Sequence, residues 1–217
     1  MAGTITSIEQ QSRRKDRINV YLDDRYAFSL NAIVAERAGL KKGIFLDDQA
    51  IDGLVGDDAY QKAFDRALNF LSYRPRSERE VRANLSRKKI EVDVLERVVG
   101  RLKELALIDD RAFAQYWQEN RQRFSPRGPR AIQSELRAKG LDRDIIDEVV
   151  DTQADQTDAA YEAALRKARS LHGLDYQAFR QRLGSHLLRR GFSYDTISSV
   201  SERLWRELST QAPEEDY

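Results

Sequence analysis

This 217-residue sequence predicts a mostly α-helical protein made of three tandem three-helix repeats, elongated, behind a small β-hairpin-plus-helix N-terminal module. Three observations carry the prediction. Apolar residues recur in register every 51 residues, strand-type alternation is confined to roughly the first fifty residues, and a helix stop recurs at one place in each period.

The N-terminal module is read over residues 1–56. Residues 4–10 and 17–31 carry β-type patterns. Ile18, Val20 and Leu22 alternate with Asn19, Tyr21 and Asp23, then Tyr26, Phe28 and Leu30 resume the alternation after Asp23-Asp24-Arg25, which reads as a turn. Residues 31–38 read as a short helix closed by Gly39. A second short helix is expected after Asp47-Asp48, ending near Gly53 or Gly56.

From Asp57 onward the period becomes helical. The repeats are placed at residues 57–108, 109–156 and 157–208, followed by an acidic tail at 209–217 that contains Glu214-Glu215-Asp216. Four apolar columns define the register: Val81, Ile132 and Leu183; Leu85, Leu136 and Leu187; Leu95, Ile146 and Ile197; Val98, Val149 and Val200. Lys88, Lys139 and Arg190 align too. The helix-breaking slot holds Lys89, Gly140 and Gly191, followed by apolar Ile90, Leu141 and Phe192, and then by Glu91, Asp142 and Ser193. Asp142 and Ser193 are good N-cap types. In each repeat a first amphipathic helix precedes the 81/85 columns, and a third helix carries the 95/98 columns. In the first repeat the second helix opens on Ser77-Glu78-Arg79-Glu80, a capping-box pattern. Such a period means one supersecondary unit whose apolar faces bury against each other and against neighbours.

Composition narrows the chemistry. The chain has no cysteine, which removes thiol catalysis, thiolate zinc, iron–sulfur chemistry and disulfides. No long apolar run is present, so no membrane partner is expected, and the chain reads as cytoplasmic. His172 and His186 are the only histidines, fourteen residues apart in different predicted helices, and His186 reads as a surface helix position. Acid pairs at Asp23-Asp24, Asp47-Asp48, Asp57-Asp58 and Asp109-Asp110 all fall at predicted turns or helix starts, where Asp caps and favours the dipole. Gly39-Leu40-Lys41-Lys42-Gly43 lacks phosphate-loop spacing and reads as a helix stop and turn. No active site, cofactor site or metal site is expected, so the protein is read as not an enzyme.

Charge points to a partner. Net charge is only +1, but residues 72–143 hold 18 basic against 11 acidic side chains, and residues 121–139 hold six against one. A basic middle suits a polyanion or an acidic protein surface. Two proline-stiffened loops concentrate it. Arg74, Arg76, Arg79 and Arg82, with Arg87 and Lys88 beyond, surround Pro75 and the second helix of the first repeat. Arg121, Arg123, Arg127 and Arg130, with Arg137 and Lys139 beyond, occupy the equivalent stretch of the second. Guanidinium groups beside a helix start, where backbone N–H groups are free, suit phosphate or carboxylate. These twelve are the candidate partner- and DNA-binding residues. Tyr73 and Phe124 have ring faces suited to bases, though burial between helices is the expected fate of each. The third repeat's loop, His172-Gly173-Leu174-Asp175-Tyr176, has no Pro-Arg cluster, so the first two repeats are expected to carry the contact.

At these motifs the chain resembles the RecX family of bacterial regulatory proteins, which modulate the RecA recombinase. The carriers are the run from Ala67 to Ser77, ALNFLSYRPRS; the run from Leu105 to Ala114, LALIDDRAFA; and Gly128-Pro129-Arg130-Ala131-Ile132 leading to Glu135-Leu136-Arg137-Ala138-Lys139-Gly140. The resemblance covers about residues 57–208, and the N-terminal module resembles the extension found in longer members. It implies tandem three-helix repeats without catalysis. It also implies lodging in the groove of the RecA–DNA filament, lowering ATP hydrolysis, strand exchange and SOS-linked coprotease action. Partners are then the RecA filament and single- or double-stranded DNA, the latter weakly and in a salt-dependent way, with the protein itself a monomer. The alternative is a stand-alone DNA-binding protein, non-specific or helix-turn-helix-like, because three-helix units can imitate that motif.

Overall fold

Alternation in the first residues builds a four-stranded antiparallel sheet. The computed structural model describes residues 2–210, so the acidic residues 214–216 lie outside the described residues. Strands β1 (Gly3–Gln10), β2 (Arg17–Leu22), β3 (Arg25–Asn31) and β4 (Phe45–Leu46) lie in the order β3-β2-β1-β4. Val20 pairs with Phe28 and Ile18 with Leu30. The two-residue turn places Asp23 and Asp24 at φ 48° and 62°, the left-handed pair whose twist suits a hairpin. The inward residues Ile5, Val20, Leu22 and Leu30 meet Val34 of α1 (Ala32–Arg37) and Leu54 in one core. Strand β4 was missed because two residues carry no period.

The expected short second helix is instead the start of a 24-residue helix, α2 (Asp48–Leu71), unbroken through Gly53 and Gly56. Each helical glycine costs about 1 kcal/mol relative to alanine. Burial outweighs that cost: Leu54 sits in the sheet core, while Ala63 and Ala67 of the same helix are fully buried in the core of the first repeat. Between these anchors Asp58 binds the Arg17 guanidinium at 3.2 and 3.3 Å and accepts from the Asn31 backbone N–H at 2.7 Å. Lys62 adds an ion pair at 2.6 Å. Burial alone would raise the Asp58 carboxyl, but the Lys62 bond, the Asn31 N–H and the Arg17 bond together hold it below its ordinary value.

The three repeats follow. The first is completed by α3 (Glu78–Ser86) and α4 (Val92–Glu104). The second comprises α5 (Asp110–Phe124), α6 (Pro129–Ala138) and α7 (Arg143–Val149). The third comprises α8 (Thr157–Arg169), α9 (Tyr176–Arg189) and α10 (Tyr194–Thr210). Leu85, Leu136 and Leu187 are all fully buried, and the other three columns are buried as well, except that Val149 is half-buried. The capping box forms as read: Ser77 Oγ accepts from Glu80 N and Glu80 Oε2 from Ser77 N, both at 3.3 Å. Ser193 caps α10, accepting from Thr196 N at 3.2 Å. Asp142 stands at the N-cap of α7 with extended backbone, but its side chain makes no cap bond.

The chain forms two compact units. One comprises the residues up to Arg74 with Val81–Ile108; the other comprises Pro75–Glu80 with the described residues from Asp109 onward. Within the second unit the helix-breaking slot gains a second meaning. Ser77 Oγ donates to the Lys139 carbonyl at 2.8 Å, and Lys139 Nζ reaches Glu80 at 2.7 Å. Fifty-one residues on, Gly128 N donates to the Arg190 carbonyl, again at 2.8 Å. In both places a helix start rests on the turn closing the second helix of the following repeat. Those turns are left-handed at Gly140 (φ 86°) and Gly191 (φ 85°). A Cβ on Gly128 would strike the Gly191 carbonyl and the Phe192 N–H. Lys89 holds the same left-handed backbone (φ 56°) in the first repeat, which has no repeat before it, and there the side chain is exposed.

Candidate functional site

The twelve basic residues divide by environment. In the first unit, Arg74 and Arg82 are half-buried, and Arg82 grips Glu96 through both terminal nitrogens. Arg87 and Lys88 are exposed at the end of α3, with Arg87 Nε donating to the Ala83 carbonyl at 3.2 Å. In the second unit Arg76 is half-buried and Arg79 is exposed, its stem lying where a Cβ on Gly140 would stand. Arg123, Arg130 and Arg137 are exposed, while Arg121, Arg127 and Lys139 are half-buried.

Those last three belong to one cluster built around Trp117 and Glu135. Glu135 Oε2 accepts from Trp117 Nε1 and from Arg121 Nε, each at 2.7 Å, and Arg127 Nε lies 3.7 Å from Oε1. The Arg121 guanidinium lies 4.6 Å from the Trp117 ring centre and the Lys139 ammonium 4.9 Å from it. With Lys139 also on Glu80, Arg121 and Lys139 are paired inside the unit, while Arg127, whose buried Nε makes no hydrogen bond, meets Glu135 only at longer range. Partly buried charge needs such partners, because desolvation otherwise disfavours it. Their cations stiffen the loop, and exposed charge remains at Arg87 and Lys88 in the first repeat and at Arg79, Arg123, Arg130 and Arg137 in the second unit.

Sequence reasoning missed Arg190 as a loop anchor, although it aligns with Lys88 and Lys139. Its guanidinium donates to the Pro126 carbonyl at 3.2 Å, and burial first, then the nearby Arg127 charge, lowers its pKa. The expectation that Tyr73 and Phe124 are buried is corrected: they are 75% and 70% exposed. Each stands where its first helix ends, beyond the last buried turn of that helix. His186 is half-buried rather than on the surface, its Nε2 lying 3.4 Å from the Ala163 carbonyl. Burial first, then the Arg190 charge, lowers its pKa. The expectation that every acid pair sits at a turn or helix start is corrected for Asp57-Asp58, which lie inside α2 with Asp58 bound to Arg17 and Asn31, whereas two other pairs do local work. Asp47 caps α2 through Ala50 N at 2.7 Å, and Asp109 caps α5 through Arg111 N and Ala112 N.

The third repeat is built differently at the equivalent place. Asp175 caps α9 through Ala178 N at 2.9 Å. Tyr176 and Phe179 then pack on Trp205 at ring-centre distances of 5.4 and 5.2 Å. No exposed arginine follows a proline there. Among the described residues no helix is long and apolar enough to cross a membrane.

Comparison with known proteins matches every part of this architecture. The model of the regulatory protein RecX N-terminal domain matches residues 3–47. Models of the first, second and third RecX three-helix domains match residues 63–102, 109–150 and 154–200. The regulatory protein RecX of Bacillus subtilis (strain 168) is 37% identical over 202 residues, covering 92% of this chain and 76% of that protein. That of Clostridium acetobutylicum is 32% identical over 211 residues, covering 94% and 98%. A crystal structure of regulatory protein RecX superposes with a TM-score of 0.74 at 30% identity, covering 93% of this chain and 100% of the other. The crystal structure of RecX from Lactobacillus salivarius gives 0.62 at 28% identity, covering 69% and 99%. The N-terminal sheet module and the three helical repeats in register are thus shared along nearly the whole length, and the chain belongs to the RecX family of regulatory proteins.

Proposed function

We propose that the protein is a non-catalytic cytoplasmic regulator that binds the RecA–DNA filament as a monomer, in its helical groove, and inhibits or remodels it. One observation carries the reading. The first two repeats, in register at 51 residues, present an exposed arginine at one equivalent position, Arg79 and Arg130, with exposed Arg87 and Lys88 nearby in sequence in the first and Arg123 and Arg137 in the second. A partner that is itself a periodic polyanion offers matching charge at each repeat, and phosphate neutralisation makes such binding salt-dependent. The Trp117–Glu135 cluster holds the second loop in place, so that less order has to be acquired on binding.

The test is steady-state ATP hydrolysis by RecA on single-stranded DNA, with this protein added well below the recombinase concentration. Loss of activity at sub-stoichiometric amounts is the expected result, because disturbing filament growth silences many subunits at once. Unchanged hydrolysis at every ratio overturns the reading.

A further inference from the structure

Tyr73 and Phe124 are separated by 51 residues, so they occupy one position in the repeat register. Both are followed by the same chemistry: Pro75-Arg76 after one, Pro126-Arg127 after the other. Both rings are among the most exposed apolar side chains of the protein, at 75% and 70%. Neither helps a core, and an aromatic left in water forgoes the roughly 1.5–3 kcal/mol its burial would contribute. Other first-helix aromatics are placed inside, as Phe113 shows at 2% exposure. In the third repeat the position is Asp175, which is spent on capping α9.

The surroundings select the ligand class. The Arg123 guanidinium lies 5.2 Å from the Phe124 ring centre, and Arg74 follows Tyr73 directly in sequence. An exposed ring beside a cation, on a proline-stiffened loop, matches the way unpaired bases are held: the base stacks on the ring while the cation meets the phosphate. Duplex bases are already stacked on each other and offer no free face. An acidic peptide would use the arginines and leave the rings idle. We infer that Tyr73 and Phe124 are two equivalent stacking platforms for the unpaired bases of a single-stranded nucleic acid, one per repeat. The inference rests on the proposed reading that these loops face a nucleoprotein filament, and it names the component they touch. Stacking tolerates any base, so the platforms give strand preference without sequence preference.

The test uses the whole protein and three labelled probes: oligothymidylate, an abasic chain of equal length, and a duplex. The expected order is oligothymidylate tighter than the abasic chain. Replacing both rings, Tyr73→Ala with Phe124→Ala, lowers affinity for oligothymidylate on the order of tenfold per ring and leaves the abasic chain unchanged. The slope of affinity against salt stays the same, since no phosphate contact is lost. Tyr73→Trp with Phe124→Trp keeps or improves binding, which separates stacking from damage to the fold. Equal binding of oligothymidylate and the abasic chain overturns the inference, as does an alanine variant that keeps its affinity for oligothymidylate. An alanine variant that loses control of RecA while still binding oligothymidylate assigns the rings to a protein pocket, and also overturns it. RecA ATP hydrolysis, measured in parallel on the wild type, reports on the filament reading alone.

Discussion

The second and third repeats share a frame and spend their tryptophans differently. Trp117 is held by charge: its indole N–H reaches Glu135, and Arg121 and Lys139 lie against its ring. Trp205 is held by rings, with Tyr176 and Phe179 packed on it. In the second repeat the first-to-second-helix loop carries prolines and arginines; in the third, α9 begins earlier and its first turn joins the core. The difference teaches that the buried columns specify the three-helix unit, while the loop before the second helix is available for either contact or closure.

The largest break in this comparison is expected at the joint between the two repeats. Gly128→Ala places a Cβ on the Gly191 carbonyl, and backbone on both sides leaves nothing flexible to yield. A loss of more than about 4 kcal/mol is expected in denaturant unfolding, and a loss below about 1 kcal/mol shows that the two repeats do not meet this closely. Next come the shared columns. Leu136→Ala and Leu187→Ala, both at 0% exposure, should each cost about 2–5 kcal/mol, and a marked inequality would mean that the repeats bury this column differently.

The column one residue earlier sharpens the contrast, since it holds Glu135 in one repeat and His186 in the other. Glu135→Ala leaves the Trp117 N–H and the Arg121 guanidinium without their acceptor and should cost about 1–3 kcal/mol, with a change in Trp117 emission. Lys89→Gly tests the slot itself. Relief of a left-handed non-glycine backbone should stabilise the protein by about 1 kcal/mol, and destabilisation would show that the Lys89 side chain does structural work. The smallest effect belongs to His186. Its pKa is lowered on folding, so the unfolded chain takes up the proton first. Its contribution is therefore present above the ordinary imidazole value of about 6.5 and declines as pH falls below it. Thermal unfolding between about pH 8 and 5 should thus weaken the wild type slightly more than His186→Asn, and equal slopes would remove the histidine from the account.

Much of the frame was legible because it rests on local or periodic signals. The 51-residue register, the hairpin turn at Asp23-Asp24 and the Ser77–Glu80 box each need only a few neighbouring residues, or the same residue one period away. The candidate surface was legible as composition but not as geometry. Arg121 and Arg123 look alike in sequence, yet one is bound to Glu135 fourteen residues on and the other is exposed. Nothing local distinguishes them.

The sequence by itself determined the repeat, its columns, its helix stops and the basic loops, since burial at a fixed spacing and backbone handedness are properties of pattern. Only the tertiary structure decided the rest. It carried α2 through Gly53 and Gly56, joined β4 to the sheet, consumed Arg121 and Lys139 in internal pairs, and left Tyr73 and Phe124 in water. Each of these turns on which distant group arrives to compensate a local cost, and that is set by packing between elements, not by the residues that bear the cost.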